Sequence, residues 1–155
     1  LIGHLQTNKV KYVAPFVSLI QSVDSLKLLQ EIDKQAAKSN RTINCLLQVY
    51  IASEETKFGL DETELINLLN SSEYTALKNI RICGLMGMAT NTTNERQIES
   101  EFARLKNIFN TVQSRYFTQA PYFCDLSMGM SSDYQLALKQ GATLVRVGSI
   151  LFGTR

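Results

Sequence analysis

The sequence is poor in histidine, proline and paired cysteine, and each shortage closes off some chemistry. A single histidine, His4, excludes any site needing two imidazoles and leaves a Ser-His-Asp arrangement only that residue to use. The three cysteines, Cys45, Cys83 and Cys124, are odd in number and form no CxxC pair, which removes zinc ribbons and thioredoxin-like redox chemistry. All three fall in apolar runs, where a reduced cysteine is a small hydrophobe suited to a reducing cytoplasm. No apolar stretch approaches the roughly 20 residues that span a bilayer, and no basic-then-apolar signal segment opens the chain. A cytoplasmic setting without membrane contact is therefore expected. Glycine-rich GxGxxG and Walker A loops are missing, so the common nucleotide fingerprints drop out. Sixteen Lys and Arg against 14 Asp and Glu leave a net charge of +2, which supplies no global field for nucleic acid. No metal site is expected.

What remains is ample for a core. The 155 residues are 45% hydrophobic, and that length predicts a single domain, residues 1–155. Short β-type runs alternate with helical ones. Residues 1–4 read as the end of a strand, and the chain does not open with methionine. Residues 5–12 suit a short helix that Pro15 ends. Strands are predicted at 17–23, 43–51, 80–88, 122–128 and 143–149. Asp24 or Ser25 can cap the helix that follows the first of these, which Ser39 and Asn40 close. A second helix is expected over 61–70. Thr92 and Glu95 have the spacing of a capping box, ahead of a long amphipathic helix through Ile98, Phe102, Leu105, Phe109, Val112 and Tyr116. Pro121 breaks that pattern, and Ser131 is placed to cap a last short helix closed by Gly141.

Strands apolar on both faces, joined by helices, imply a parallel sheet. Counting alone favours an open doubly wound sheet, because a complete (β/α)8 barrel needs about 200–250 residues. In either architecture the strand C-termini face the ligand. Two such ends stand out. Gly148 and Ser149 follow a strand directly and can offer N–H groups to an anion, and the Ser131 hydroxyl adds a further donor at the preceding strand end. Arg146 lies mid-strand among apolar residues, where a guanidinium is costly to bury unless paired. Two readings stay open: a structural ion pair, or a donor to a ligand atom that must remain unprotonated. Weaker signals are Met128 and Met130, Lys57 in a strand-end loop, and the small basic cluster of Lys9 and Lys11, which read as core filler and solvated surface.

Five segments together carry a resemblance: Ile2-Gly-His-Leu-Gln-Thr-Asn-Lys9, Lys57-Phe-Gly59, Gly84-Leu-Met86, Leu126-Ser-Met-Gly-Met-Ser-Ser-Asp133 and Val145-Arg-Val-Gly-Ser-Ile-Leu-Phe-Gly153. The chain resembles, over essentially its whole length, the YggS/PROSC family of pyridoxal phosphate homeostasis proteins, relatives of the N-terminal barrel of alanine racemase. The resemblance implies a TIM-like (β/α)8 barrel, incomplete here, with about six βα units and without strands one and two. It implies pyridoxal 5′-phosphate (PLP) as cofactor, with Ser131, Gly148 and Ser149 on the phosphate, Arg146 near the pyridine nitrogen, and Met86 and the His4 loop lining the ring pocket.

The family's Schiff-base lysine and its Gly-Glu-Asn motif belong to the two strands not matched. The resemblance therefore transfers no catalytic residue, and covalent attachment through the family lysine is not expected of this piece. Lys9, Lys11 and Lys57 match other positions. The implied role is cofactor homeostasis without catalysis, with PLP-dependent enzymes as partners; a PLP-dependent racemase-like enzyme is the alternative. Enzymes of this barrel carry a further β-domain, and none follows Arg155 in the sequence. An open remnant exposes two strand edges, so self-association or pairing with the missing N-terminal segment is expected. The whole reading requires Ser131 and Ser149 to reach one phosphate group.

Overall fold

A computed structural model describes residues 1–54 and 57–153. Five strands, β1 (Leu19–Val23), β2 (Ile43–Tyr50), β3 (Ile80–Met88), β4 (Asp125–Met130) and β5 (Leu144–Arg146), pair in parallel and in chain order. The helices are α1 (Val10–Val13), α2 (Leu26–Lys38), α3 (Glu62–Asn70), α4 (Ser72–Thr75), α5 (Glu95–Tyr116), α6 (Tyr134–Lys139) and α7 (Ser149–Phe152), with a 3-10 turn at Thr7–Lys9. A doubly wound sheet reverses its strand order at a switch point, and this one does not. The sheet is a curled half-barrel, as one bond across it shows. The Ser127 hydroxyl on β4 donates to Gln21 Oε1 on β1 at 2.6 Å. In a flat sheet, residues three strands apart would lie about 14 Å from each other.

The opening residues, expected as a strand end, form no strand, and Leu1 supplies their backbone-to-backbone bonds to β1. The Leu1 amino group donates to Leu19 O at 2.6 Å, and Gln21 N donates to Leu1 O at 2.9 Å, on the free side of β1.

The two faces of the sheet differ in what covers them. Ile20, Cys45, Leu47, Val49, Ile82, Leu85, Leu126 and Met128 join Leu29 and Ile32 of α2, Leu65 of α3, and Phe102 and Leu105 of α5 in one buried core. Each such side chain contributes about 1.5–3 kcal/mol when fully removed from water. Phe123 stacks between Phe117 and Phe109 at 4.2 and 5.0 Å, which anchors the end of α5 to the chain entering β4. The concave face is thinner: Leu46, Cys83 and Met86 are buried there, with Leu19, Met88 and Leu144 partly covered. Two glycines on β3 make close approaches. Gly84 has φ +157°, and a Cβ there would lie 1.7 Å from Asp125 O. A Cβ on Gly87 would lie 2.7 Å from Leu105 Cδ2, so α5 sits directly against the strand.

Several local expectations are corrected. The capping box is at Asp61 and Glu64, which exchange bonds of 2.8 and 2.9 Å, and not at Thr92 and Glu95. Because α5 starts at Glu95, Asn94 occupies the N-cap and accepts from Gln97 N, while Thr92 Oγ1 accepts from Asn94 N. Ser25, of the two candidates, caps α2. The strand expected at 122–128 runs two to three residues later, since Phe123 is drawn into the helix-side core. The one expected at 143–149 is cut to Leu144–Arg146 because the chain turns into α7. The helix expected over 5–12 is a 3-10 turn followed by α1, ending before Pro15. Cys124 is exposed, unlike Cys45 and Cys83, because it precedes β4 in the connecting turn. Among the described residues no helix is long and apolar enough to cross a membrane, and no cluster of His, Cys, Asp or Glu fits a metal ion.

Candidate functional site

The C-terminal ends of β4 and β5 touch. After β4 the chain makes a tight turn over residues 130–133, closed by Asp133 N donating to Met130 O at 3.1 Å and Met130 N donating to Asp133 Oδ1 at 2.5 Å. Asp133 is only 7% exposed. The turn lifts Ser131 towards the end of β5, where Gly148 N donates to Ser131 Oγ at 3.1 Å. The expectation that Ser131 caps α6 is therefore corrected: α6 begins at Tyr134, Asp133 holds the N-cap position, and the Ser131 hydroxyl is engaged by the neighbouring loop. Ser131, Arg146, Gly148 and Ser149, with Ile2 and Met130, line one cleft of about 400 Å³. Gly148 has φ −128°, which any residue adopts, and a Cβ there would meet nothing within 4 Å. Open space in front of the glycine, a Ser131 hydroxyl that accepts from Gly148 N and still has its own hydrogen to donate, and a guanidinium in the same cleft suit an anion.

Arg146 is held by neutral acceptors. Its Nη1 donates to Ser127 Oγ at 2.8 Å and its Nη2 to Gly87 O at 3.1 Å. Ser127 is fully buried and its hydroxyl in turn donates to Gln21 Oε1, so one chain of bonds runs from β5 through β4 to β1. Among the described residues Arg146 forms no salt bridge, and the charge that acts on it is the Asp133 carboxylate. Burial holds the guanidinium pKa below its ordinary value, and the Asp133 carboxylate partly offsets that. Enough of the five guanidinium N–H donors stay free of these two bonds to serve a ligand.

The remaining expected residues lie apart from the cleft. Met86 is fully buried on the concave face with Leu46 and Cys83, and its register partner on β4 is Ser127. His4 is exposed; its ring stacks on Phe58 at 4.4 Å, and Nδ1 lies 3.4 Å from the Asp24 carboxylate. Ile2, two residues earlier, is the part of the opening segment that reaches the cleft. A smaller chamber of about 240 Å³ adjoins it through Met130 and Ser132, and Lys57, Thr90, Asn91 and Asp133 form its polar wall. Lys57 is not free surface: it lies 3.3 Å from Glu54 Oε1. A cavity of about 560 Å³ between α3 and α5 is larger, but it opens on the helical exterior, away from every strand end.

Neither Ser127 nor Gln21 has a role assigned from the sequence. The signal was alternation: two-residue periodicity puts Ser127 on the concave face, where a buried hydroxyl requires a partner.

The profile of the alanine racemase N-terminal domain matches residues 1–155. The pyridoxal phosphate homeostasis protein of Aquifex aeolicus is 41% identical over 99% of the chain, and the chain spans 65% of that protein's length. The protein of the same description from Synechocystis is 36% identical, over 99% of this chain and 68% of its own. A structure of PipY from Synechococcus elongatus with PLP bound superposes with a TM-score of 0.83 at 34% identity, covering 99% of this chain and 69% of that one.

Proposed function

We propose, for a chain that belongs to the alanine racemase N-terminal domain family and within it to the pyridoxal phosphate homeostasis proteins, that its cleft holds pyridoxal 5′-phosphate as a carrier and not as a catalyst. The observation that carries the reading is the contact between Gly148 N and Ser131 Oγ, which brings the ends of β4 and β5 into one anion cradle. In this proposal Ser131, Gly148 and Ser149 hold the phosphate, and Arg146 faces the ring nitrogen. Met86 underlies the ring from the concave face, and the segment ending at His4 contributes a wall through Ile2. When bound, the cofactor supplies a reactive aldehyde on an electron-withdrawing ring. A fixed positive charge at the ring nitrogen disfavours its protonation and so weakens the electron sink that catalysis needs. The names of the relatives support carriage over catalysis. The five strands and the Leu1 pairing correspond, in the same proposal, to six units of an eightfold barrel whose cytoplasmic role is supply of PLP to dependent enzymes.

Equilibrium dialysis of the chain against PLP and against pyridoxal tests this. The cradle predicts retention of PLP at least about tenfold stronger, since only PLP brings the phosphate that charge-assisted bonds recognise. Equal retention of the two would overturn the reading.

A further inference from the structure

We propose that Glu101 is a positioning residue for the cleft: from the outer helix α5 it fixes the end of β3, the strand whose Gly87 carbonyl holds Arg146. The inference rests on the reading above only for the importance it gives Arg146; its geometry stands by itself. Glu101 is 7% exposed and is the one charged residue among the buried positions of α5. Its Oε2 accepts from Thr90 N at 2.7 Å, and its Oε1 accepts from Thr90 Oγ1 at 2.7 Å, Ser53 Oγ at 3.1 Å and Gln97 Nε2 at 3.1 Å. Thr90 Oγ1 also accepts from Ser53 N at 2.8 Å, so the chain leaving β2 and the chain leaving β3 are clipped to one carboxylate.

A buried carboxylate is costly unless its lone pairs are filled, and here they are filled by the two loops that edge the strand ends. One helical turn further along α5, Leu105 presses on Gly87. Residues four apart share a helix face, so α5 grips β3 at two points, apolar at Gly87 and polar at Thr90. Between them lie Met88 and Ala89, and the Gly87 carbonyl receives Arg146 Nη2 at 3.1 Å. Release of the polar point frees the strand end to rotate, and the carbonyl that orients the guanidinium turns with it.

The test reads the ligand-free full chain, so a chain that never retains PLP still answers it. In Glu101→Ala, amide exchange at Thr90 is expected to accelerate by about tenfold or more, the factor one net hydrogen bond confers. Wild-type Arg146, held by two bonds, is expected to show resolved guanidinium resonances, and these are expected to average in Glu101→Ala. Glu101→Gln keeps an acceptor for Thr90 N and offers donors that the two hydroxyls can accept, so it should hold both signals within about threefold of wild type. Should Glu101→Ala fail to fold, Thr90→Val, which keeps the N–H bond and loses the hydroxyl, is expected to move the Arg146 signals in the same direction. Arg146 resonances that stay unchanged in a folded Glu101→Ala or Thr90→Val chain would refute the assignment, as would Glu101→Gln averaging them as fully as alanine.

Discussion

At the scale of single residues, the strongest constraint is on the glycine whose replacement has nowhere to go. Gly84→Ala must place a methyl 1.7 Å from the Asp125 carbonyl at φ +157°, a conformation that L residues rarely adopt. A loss of stability above about 3 kcal/mol is expected by urea unfolding, more than ordinary surface substitutions cause. Glu101 is the residue whose charge matters. Burial alone would push its carboxyl up, but bonds from Thr90, Gln97 and Ser53 outweigh that and hold it below the usual carboxylate range. A carboxyl depressed in the folded chain adds stability above its unfolded pKa and loses it as pH falls through the folded value. Wild type should therefore exceed Glu101→Gln at pH 7 by about 1 kcal/mol, with the two denaturation curves converging towards pH 3. Thiol reactivity gives a third check. Burial pushes the Cys45 thiol up, with Cys83 adding to the effect, and burial likewise raises Cys83, with Asp125 adding. A disulfide reagent at neutral pH should label Cys124 in the native chain and the other two only after unfolding.

At the scale of elements, caps decide where helices begin. The Asp61 and Glu64 bonds satisfy two donors at the start of α3, and Asp61→Ala should cost about 1 kcal/mol in urea unfolding. The same chemistry shows what the sequence does and does not disclose. Helix α5 was legible through its apolar stripe, because Ile98, Phe102, Leu105 and Phe109 repeat at helical spacing and all are buried. Its first residue was not, since Thr92, Asn94 and Glu95 offer competing caps and only the path of the preceding loop chooses between them. Ser131 was misread as a helix cap for a related reason. A serine ahead of a helix looks the same whether its hydroxyl meets the helix or a strand end from another part of the chain. The strand before it shifted because Phe123 looks strand-like locally, yet it is held in a ring stack with Phe109 and Phe117.

At the scale of the whole molecule, curvature is what converts strand ends into a site. The alternation of strands and helices was plain from composition, but length favoured a flat sheet, and only the motif resemblance pointed to a barrel. The bond from Ser127 to Gln21 links residues 106 apart in sequence, and no local pattern announces it. Ser127→Ala removes that chord and leaves buried Arg146 Nη1 and Gln21 short of a partner, so a loss of about 1–3 kcal/mol is expected in thermal or urea unfolding.

The most direct measurement is a titration of the isotopically labelled chain with inorganic phosphate, following backbone amide resonances. The account predicts saturable shifts centred on Gly148 and Ser149, with Ser131→Ala weakening the apparent affinity by about tenfold, as loss of one charge-assisted bond implies. Shifts confined to the groove between α3 and α5, or none at Gly148 and Ser149, would contradict it.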